Sequence, residues 1–350
     1  MNRRLAYFFF LLTIVALFTG CVEQRSKQQK NDEYEKVRLV MTGNGTELGI
    51  ETLTARRFAK LVSEASGGNV HIEVYPNDEL TGGNTNEAVR SLTEGAVDLG
   101  GYVSGTMSLL DPRLEVATIP WSFSSYQEAR QVIDNTGGDY YAKVLSEYGL
   151  VYLGSTHNAM RQLSNNRNPV RTPEDLHDMK IRVLGGEVYR MFFSTLGAKP
   201  VPLGWSELNI AIRQGVIEGQ ENGFFLMRSG HLNEIQEYMT VWNYLYENYL
   251  FVASRKTFEI LEPKTQELLR EKMHEACEWS RDYLEKEEEK IRIQFIEDGL
   301  KIIELTPEEL EVFKERVNPL REDLKKKYGA EACEAFRIDK EKNYKASDGT

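Results

Sequence analysis

Two successive series of alternating strand-like and helix-like segments constrain the fold of this 350-residue chain more than any other feature. In the first series, predicted strands at residues 37–41 and 70–75 flank an amphipathic helix at about 51–65. A second helix, predicted at about 86–94, precedes a short strand at 96–99. Since strands separated by helices pair in parallel through right-handed crossovers, this pattern predicts an α/β fold.

The second series begins near residue 150. Its predicted strands lie at 150–153, 180–184, 199–202, 238–242 and 249–253, and its main helices at 187–196 and 206–214. A helical pattern at 264–298 follows and is much longer than the mean globular helix. Two α/β series, joined by crossing segments and a long helix, predict two lobes with a cleft between them.

The chain is predicted to divide into two discontinuous lobes. Lobe I comprises residues 36–158 and 248–287, and lobe II comprises residues 159–247 and 288–342. Residues 343–350 form a tail.

The N-terminus predicts export. Basic residues precede an apolar run at 5–18, which is too short to span a membrane comfortably and leads through small residues to Cys21. This order is typical of a lipoprotein signal, so residues 1–20 are predicted to be a signal peptide and Cys21 to be acylated. The polar segment 21–35 is then a flexible tether that holds the protein to a membrane outside the cytoplasm, either in a periplasm or on the outer face of the cell membrane. An ordinary signal peptide or a lone membrane anchor is the alternative.

Charge and cysteine content limit the classes of partner. A net charge of −11 and a pI near 5.2 argue against nucleic acid. They leave anionic ligands open, because the local charge of a site decides what it binds. Cys277 and Cys333 fit no metal-ligand spacing, and the sequence leaves open whether they form a disulfide.

Parts of the sequence are also compatible with two other classes of protein. A loop with Gly43, Gly45 and Gly49, followed by Glu73 on the next strand, has the layout of a dinucleotide-binding fingerprint and would suit an exported α/β enzyme. The third glycine comes one residue late, however, and Glu47 would face the pyrophosphate. The histidines form no zinc-ligand motif, and no cofactor or metal is expected. A structural surface lipoprotein is the other alternative.

Four polar and aromatic residues indicate an anion site. Arg182 lies in the predicted strand 180–184, and charged groups near strand ends in open α/β sheets face the ligand crevice. Its planar guanidinium matches a carboxylate bidentately. Arg161 is a second candidate, Trp205 can supply an apolar wall, and Asn222 can donate and accept hydrogen bonds. Surface ion pairs, a core tryptophan and a turn asparagine are the structural alternatives.

Several ordered motifs give the sequence a family resemblance. They are Lys-Ile-Arg-Val at 180–183, Leu-Gly-Ala-Lys-Pro-Val-Pro at 196–202, Trp-Ser-Glu-Leu at 205–208 and Gly-Gln-Glu-Asn at 219–222, with upstream support at 74–80, 92–98 and 119–123. Together they resemble the solute-binding proteins of TRAP transporters (DctP family) over about residues 37–328. The resemblance implies a periplasmic-binding-protein-like α/β fold, in which two lobes hinge over one ligand in a central cleft and a long helix spans both lobes. It also implies membrane permease subunits as partners and no catalysis.

The resemblance also implies specific site residues. Arg182 would pair with a substrate carboxylate, and Arg161 would assist it. Asn222 and Trp205 occupy the ligand-binding asparagine and aromatic positions, and Asn44 lies in the loop after the first strand that contacts ligand in some members.

Two departures from the family pattern bear on the ligand. Gly223 stands where proline is common, and Tyr102-Val103 stands where members that bind sialic acid carry an acidic residue. Sialic acid is therefore not expected. C4-dicarboxylates, sugar acids such as uronates, and 2-oxo acids all remain open.

Overall fold

The computed structural model describes residues 33–338. The predicted signal peptide, Cys21 and most of the tether lie outside the described residues, as does the predicted tail.

Strands and helices alternate along the described chain. The strands are β1 (Val37–Gly43), β2 (Val70–Tyr75), β3 (Leu99–Val103), β4 (Leu150–Asn165), β5 (Lys180–Val183), β6 (Lys199–Pro202), β7 (Gly219–Asn222), β8 (Tyr238–Ser254) and β9 (Lys301–Glu304). The α-helices are α1 (Ile50–Ala65), α2 (Thr85–Glu94), α3 (Ser104–Met107), α4 (Tyr126–Val132), α5 (Gly138–Glu147), α6 (Glu187–Thr195), α7 (Trp205–Arg213), α8 (Phe224–Ser229), α9 (Arg255–Phe258), α10 (Pro263–Glu297), α11 (Pro307–Tyr328) and α12 (Ala330–Ala335).

The strands form one continuous mixed sheet in the order β2-β1-β3-β8-β4-β7-β5-β6, with β9 beside β8. Pairing is parallel between β1 and β2, β1 and β3, β5 and β6, and β5 and β7, as the strand–helix alternation predicts. It is antiparallel wherever β4 or β8 meets another strand of the main order. The two α/β lobes are therefore joined by two long antiparallel strands, and the sheet as a whole is mixed.

β8 merges two segments that the sequence predicts as separate strands, 238–242 and 249–253. The residues between them, 243–248, continue the strand because they pair with β4 through several buried positions. Pairing between β4 and β8 shifts register three times, between Tyr152 and Gly154, His157 and Ala159, and Arg161 and Leu163. Such bulges bend and twist a strand, which lets one pair of strands serve both lobes.

β3 begins at the residue where the predicted strand ends. Gly95 takes a positive φ of 77° at the C-terminus of α2, and the Ala96 N–H then donates to the Ser91 carbonyl at 2.9 Å. Residues 96–98 complete this helix cap and turn, so the chain reaches an extended conformation only at Leu99.

α10 spans both lobes. It packs against α1 and β4, where Thr54 Oγ1 donates to Ser280 Oγ at 2.7 Å, and against α8, where the rings of Phe224 and Phe295 lie 6.1 Å apart. Cys277 is buried in this helix, and the thiol of Cys333 donates to the Lys325 carbonyl, so these two cysteines do not form a disulfide. Between residues 33 and 338, no helix combines the length and the apolar character needed to cross a membrane.

Candidate functional site

A cavity of about 70 Å³ lies between the lobes, where the first-lobe loop after β1 faces the ends of β5 and β7. All five residues that the sequence predicts as ligand contacts line it: Asn44, Arg161, Arg182, Trp205 and Asn222. Asn158, Glu247 and Tyr249 from the two long strands complete its polar wall, and Val103, Leu184 and Leu226 contribute apolar surface.

Arg182 is buried in the cavity wall with a side-chain exposure of 1% and no carboxylate partner among the described residues. Side chains alternate between the two faces of β5, so Ile181 and Val183 pack into the core on the face opposite Arg182. The Nε–H donates to the Leu203 carbonyl at 3.0 Å, whereas Nη1 is buried without a hydrogen-bond acceptor. The guanidinium carbon lies 6.0 Å from the ring centroid of Trp205.

Burial lowers the pKa of Arg182 to about 10, and the nearby charge of Arg161 adds to this effect. Glu221 opposes it only in part. The arginine therefore stays charged near neutral pH at a cost in free energy, which an anion in the cavity would offset.

Arg161 on β4 is also 1% exposed, but two buried glutamates compensate its charge. Its Nε and Nη2 donate to the carboxylate of Glu221, and its Nη1 donates to Glu247 Oε2 at 2.5 Å. Nη2 also reaches Asn222 Oδ1 at 2.9 Å. Burial lowers the pKa of Arg161, yet the two carboxylates outweigh burial and hold that pKa well above its ordinary value.

Other buried groups hold the two glutamates in place. Tyr244 donates its hydroxyl to Glu221 Oε2 at 2.9 Å, and both Tyr189 and Asn158 donate to Glu247. Burial raises the pKa of Glu221, and Arg161 limits the rise. The result is a hydrogen-bonded ion cluster of one arginine and two carboxylates, in which the negative charges exceed the positive one.

Asn222 ends β7 with its amide engaged on both sides. Its Nδ2 donates to Gln220 Oε1 at 2.5 Å, and its Oδ1 accepts from Arg161. These two hydrogen bonds fix the amide at the cavity wall. β7 itself is held by antiparallel pairing with β4, where Asn222 lies opposite Gln162, and by parallel pairing with β5.

The side chain of Glu51 supports the loop that carries Asn44. The Gly45 N–H donates to Glu51 Oε2 at 2.6 Å, and a Cβ at Gly43 or Gly45 would overlap this carboxyl group. The glycines are therefore needed because the loop backbone lies close to the Glu51 carboxyl group. Since this group accepts the hydrogen bond of Gly45 N–H, that N–H is not available to a pyrophosphate, which does not favour the dinucleotide interpretation.

The sequence prediction missed several residues of the cavity and its ion cluster, among them Asn158, Glu221 and Glu247. Glu221 lies within the Gly-Gln-Glu-Asn motif, directly before the predicted site residue Asn222. Glu247 is the acidic residue of the aromatic segment 242–251. A lone carboxylate in such an aromatic run indicates a buried charge. Buried charges require partners, so this pattern could have marked Glu247 as part of an ion pair.

Comparison with known proteins agrees with this architecture. The family model described as bacterial extracellular solute-binding protein, family 7 (DctP) matches residues 43–327. The C4-dicarboxylate-binding protein DctB of Bacillus subtilis is 27% identical over 280 residues, which are 80% of this chain and 79% of that protein.

Solved structures share the fold. The sugar acid binding protein DctPAm of Advenella mimigardefordensis, in complex with galactonate, has a TM-score of 0.82 and 25% identity, and the alignment covers 87% of this chain and 98% of that one. A TRAP periplasmic solute-binding protein of Sulfurospirillum deleyianum with bound succinate has a TM-score of 0.79 and 25% identity, with 87% and 99% covered. The chain belongs to the DctP family of bacterial extracellular solute-binding proteins, the extracytoplasmic subunits of TRAP transporters.

Proposed function

We propose that the protein captures a small organic acid from outside the cytoplasm and delivers it to the membrane permease subunits of a TRAP transporter, without catalysing a reaction. The observation that carries this proposal is the buried guanidinium of Arg182, which faces the cavity between the lobes with an unpartnered Nη1. A ligand carboxylate supplies the missing counter-charge and accepts hydrogen bonds from the planar fork.

The other predicted residues surround this ion pair. Trp205 provides the apolar wall beside Arg182, while Asn222 and Asn44 offer amide groups from opposite lobes. Most of the hydrogen bonds of Arg161 go to Glu221, Glu247 and Asn222. In this proposal Arg161 mainly positions Asn222, and its charge offsets part of the negative charge of the two glutamates beside the ligand carboxylate.

Binding requires the lobes to separate and close. The cavity holds about 70 Å³, whereas small-molecule sites generally measure ~300–1,000 Å³. A ligand that arrives from solvent therefore needs a more open cleft. We place the hinge in β4 and β8 at the register shift between His157 and Ala159, which coincides with the proposed lobe boundary at residues 158–159 and 247–248.

A ligand screen by thermal unfolding tests the proposal. A ligand at ~100 times its dissociation constant stabilises the native state by ~2.7 kcal/mol, which is a rise of several degrees in Tm for a chain of this size. We expect at least one carboxylate among C4-dicarboxylates, sugar acids and 2-oxo acids to raise the Tm, and neutral sugars of equal size to leave it unchanged. A broad acid panel without any effect would refute the proposed ligand class.

Anchoring through an acylated Cys21 belongs to the same proposal, supported by the N-terminal sequence. Replacing Cys21 by serine removes the thiol that carries the lipid, so Cys21→Ser protein should leave the membrane fraction or remain unprocessed. Cell fractionation and the migration of the protein in a gel measure both effects. A Cys333→Ser variant is the control. A Cys21→Ser protein that fractionates and migrates like the parent would contradict lipid anchoring.

A further inference from the structure

We propose that the ligand of this cavity carries one carboxylate together with hydroxyl groups, as an aldonic or other hydroxylated monocarboxylic acid does, and that dicarboxylates are disfavoured. This inference rests on the proposed function and deepens it. The relatives leave the choice open, since one is named for C4-dicarboxylates and a similar structure contains galactonate.

The first argument is the charge balance of the buried site. Among the described residues that line the cavity, Arg161 and Arg182 are the cationic ones. Glu221 and Glu247, both 0% exposed, form ion pairs with Arg161. Two guanidinium and two carboxylate groups sum to zero, so a monocarboxylate brings the closed site to −1 and a dicarboxylate to −2.

The second argument is where a second ligand carboxylate would lie. The first ligand carboxylate pairs with Arg182, and most N–H groups of Arg161 already donate to Glu221 and Glu247. A second carboxylate in the same cavity would meet Glu247, which lines it. Like charges in a desolvated site repel strongly and find no compensation there.

The third argument is a buried acceptor that points to a hydroxyl donor. Asn158 is 2% exposed, and its Nδ2 donates to Glu247 Oε2 at 2.6 Å, which fixes the orientation of its amide. The Oδ1 atom is then buried without a donor at the cavity wall. A ligand hydroxyl can donate to Asn158 Oδ1 or to Glu247, whereas an ionised carboxylate has no proton to donate.

Matched pairs of acids test the inference on the unmodified protein. Galactonate and galactarate differ in one terminal group, as do threonate and tartrate: each pair exchanges a primary alcohol for a second carboxylate. Titration calorimetry should give a dissociation constant at least ~10 times lower for the monocarboxylate of the pair that binds. Equal or tighter binding of the dicarboxylate would overturn the inference and leave the proposed function intact. If neither these acids nor any other acid of the panel binds, both the inference and the proposed function are refuted.

A nearly isosteric substitution that removes the charge tests the role assigned to Glu247. Glu247→Gln removes one negative charge and keeps an acceptor for Arg161, so the preference for monocarboxylate over dicarboxylate should fall at least threefold. A Glu271→Gln variant, changed at an exposed position of α10, is the control and should keep the parent's ratio. An unchanged ratio in a folded Glu247→Gln protein would contradict the charge argument. If that variant does not fold, the matched acids still decide the inference.

Discussion

Arg161 and Arg182 are equally buried, yet only Arg161 has carboxylate partners within the described chain. An uncompensated buried charge lowers the stability of the folded protein, as the reduced pKa of Arg182 indicates. Chains keep such residues where binding uses them, because a ligand carboxylate can pair directly with the guanidinium group. At the scale of single residues, this difference between two arginines separates the proposed ligand contact from its support.

Gly223 is a second residue on which the site depends. A Cβ at this position would lie 2.5 Å from the Cβ of Ala159 and 2.9 Å from Glu288 Oε1, at the point where α8 meets β4. Gly223→Ala should therefore destabilise the protein by ~1–3 kcal/mol and weaken ligand binding by displacing the neighbouring Asn222.

Urea unfolding and ligand titration measure both effects of Gly223→Ala. Gly185→Ala is the matched control, since a Cβ there meets no atom within 4 Å and the glycine has no positive φ. Equal stability and affinity for the two variants would show that the contact at Gly223 can relax without cost.

The sequence predicts which residues face the cavity better than it predicts their roles. The Lys-Ile-Arg-Val motif marks Arg182, and strand geometry explains why its side chain lies opposite Ile181 and Val183. Without the family resemblance, the sequence does not distinguish the role of Arg182 from that of Arg161, because the partners of Arg161 lie 60 and 86 residues away along the chain. Their proximity exists only after β4, β7 and β8 have paired.

At the scale of elements, the loop between β1 and α1 rests on a buried carboxyl group. Burial raises the pKa of Glu51 from its ordinary 4.5 to about 8, Gly45 opposes the rise through its N–H, and Asp78 adds to it. The folded protein thus holds a proton that the unfolded chain releases at lower pH. This contribution to stability is complete below about pH 4.5 and is lost as the pH rises to about 8.

Glu51→Gln should therefore flatten the dependence of stability on pH. One group contributes a slope of at most ~1.4 kcal/mol per pH unit, so the parent should lose stability relative to the variant between about pH 5 and 8. Urea unfolding over this range measures the difference, with Glu64→Gln at an exposed position of the same helix as the control. Parallel pH profiles for the parent and Glu51→Gln would refute the assignment.

The predicted helices match the structure closely, and the strands less so. α1, α6, α7 and α10 begin and end within a residue or so of their predicted bounds, because their apolar periodicity extends over several turns. β4 and β8 are longer than predicted. Their central parts carry buried polar residues, such as His157 and Asn248, whose partners lie on the opposite strand or on other elements, and the sequence pattern therefore does not identify these parts as strand. Neither alternation nor a continuous apolar run reveals such a strand.

At the scale of the whole molecule, the lobes are expected to move as units about β4 and β8. Small-angle scattering should show a smaller radius of gyration when a bound acid is added, because the ligand carboxylate draws lobe II, which carries Arg182, towards the loop of lobe I. Arg182→Ala protein mixed with the same acid serves as the control and should show no compaction. An unchanged radius of gyration at saturating ligand in the parent would contradict a hinged cleft.

The central claim is that Arg182 binds the ligand carboxylate, and titration calorimetry on its variants tests it most directly. Arg182→Ala should lose ~2–5 kcal/mol of binding free energy, or roughly 1.5 to 3.5 decades in affinity, because a ligand charge is left buried without its partner. Arg182→Lys should also bind more weakly, since an ammonium group lacks the planar fork. Arg292→Ala, which removes a partly exposed ion pair with Glu304, should bind like the parent. A folded Arg182→Ala protein that binds the acid within a few-fold of the parent would contradict the account.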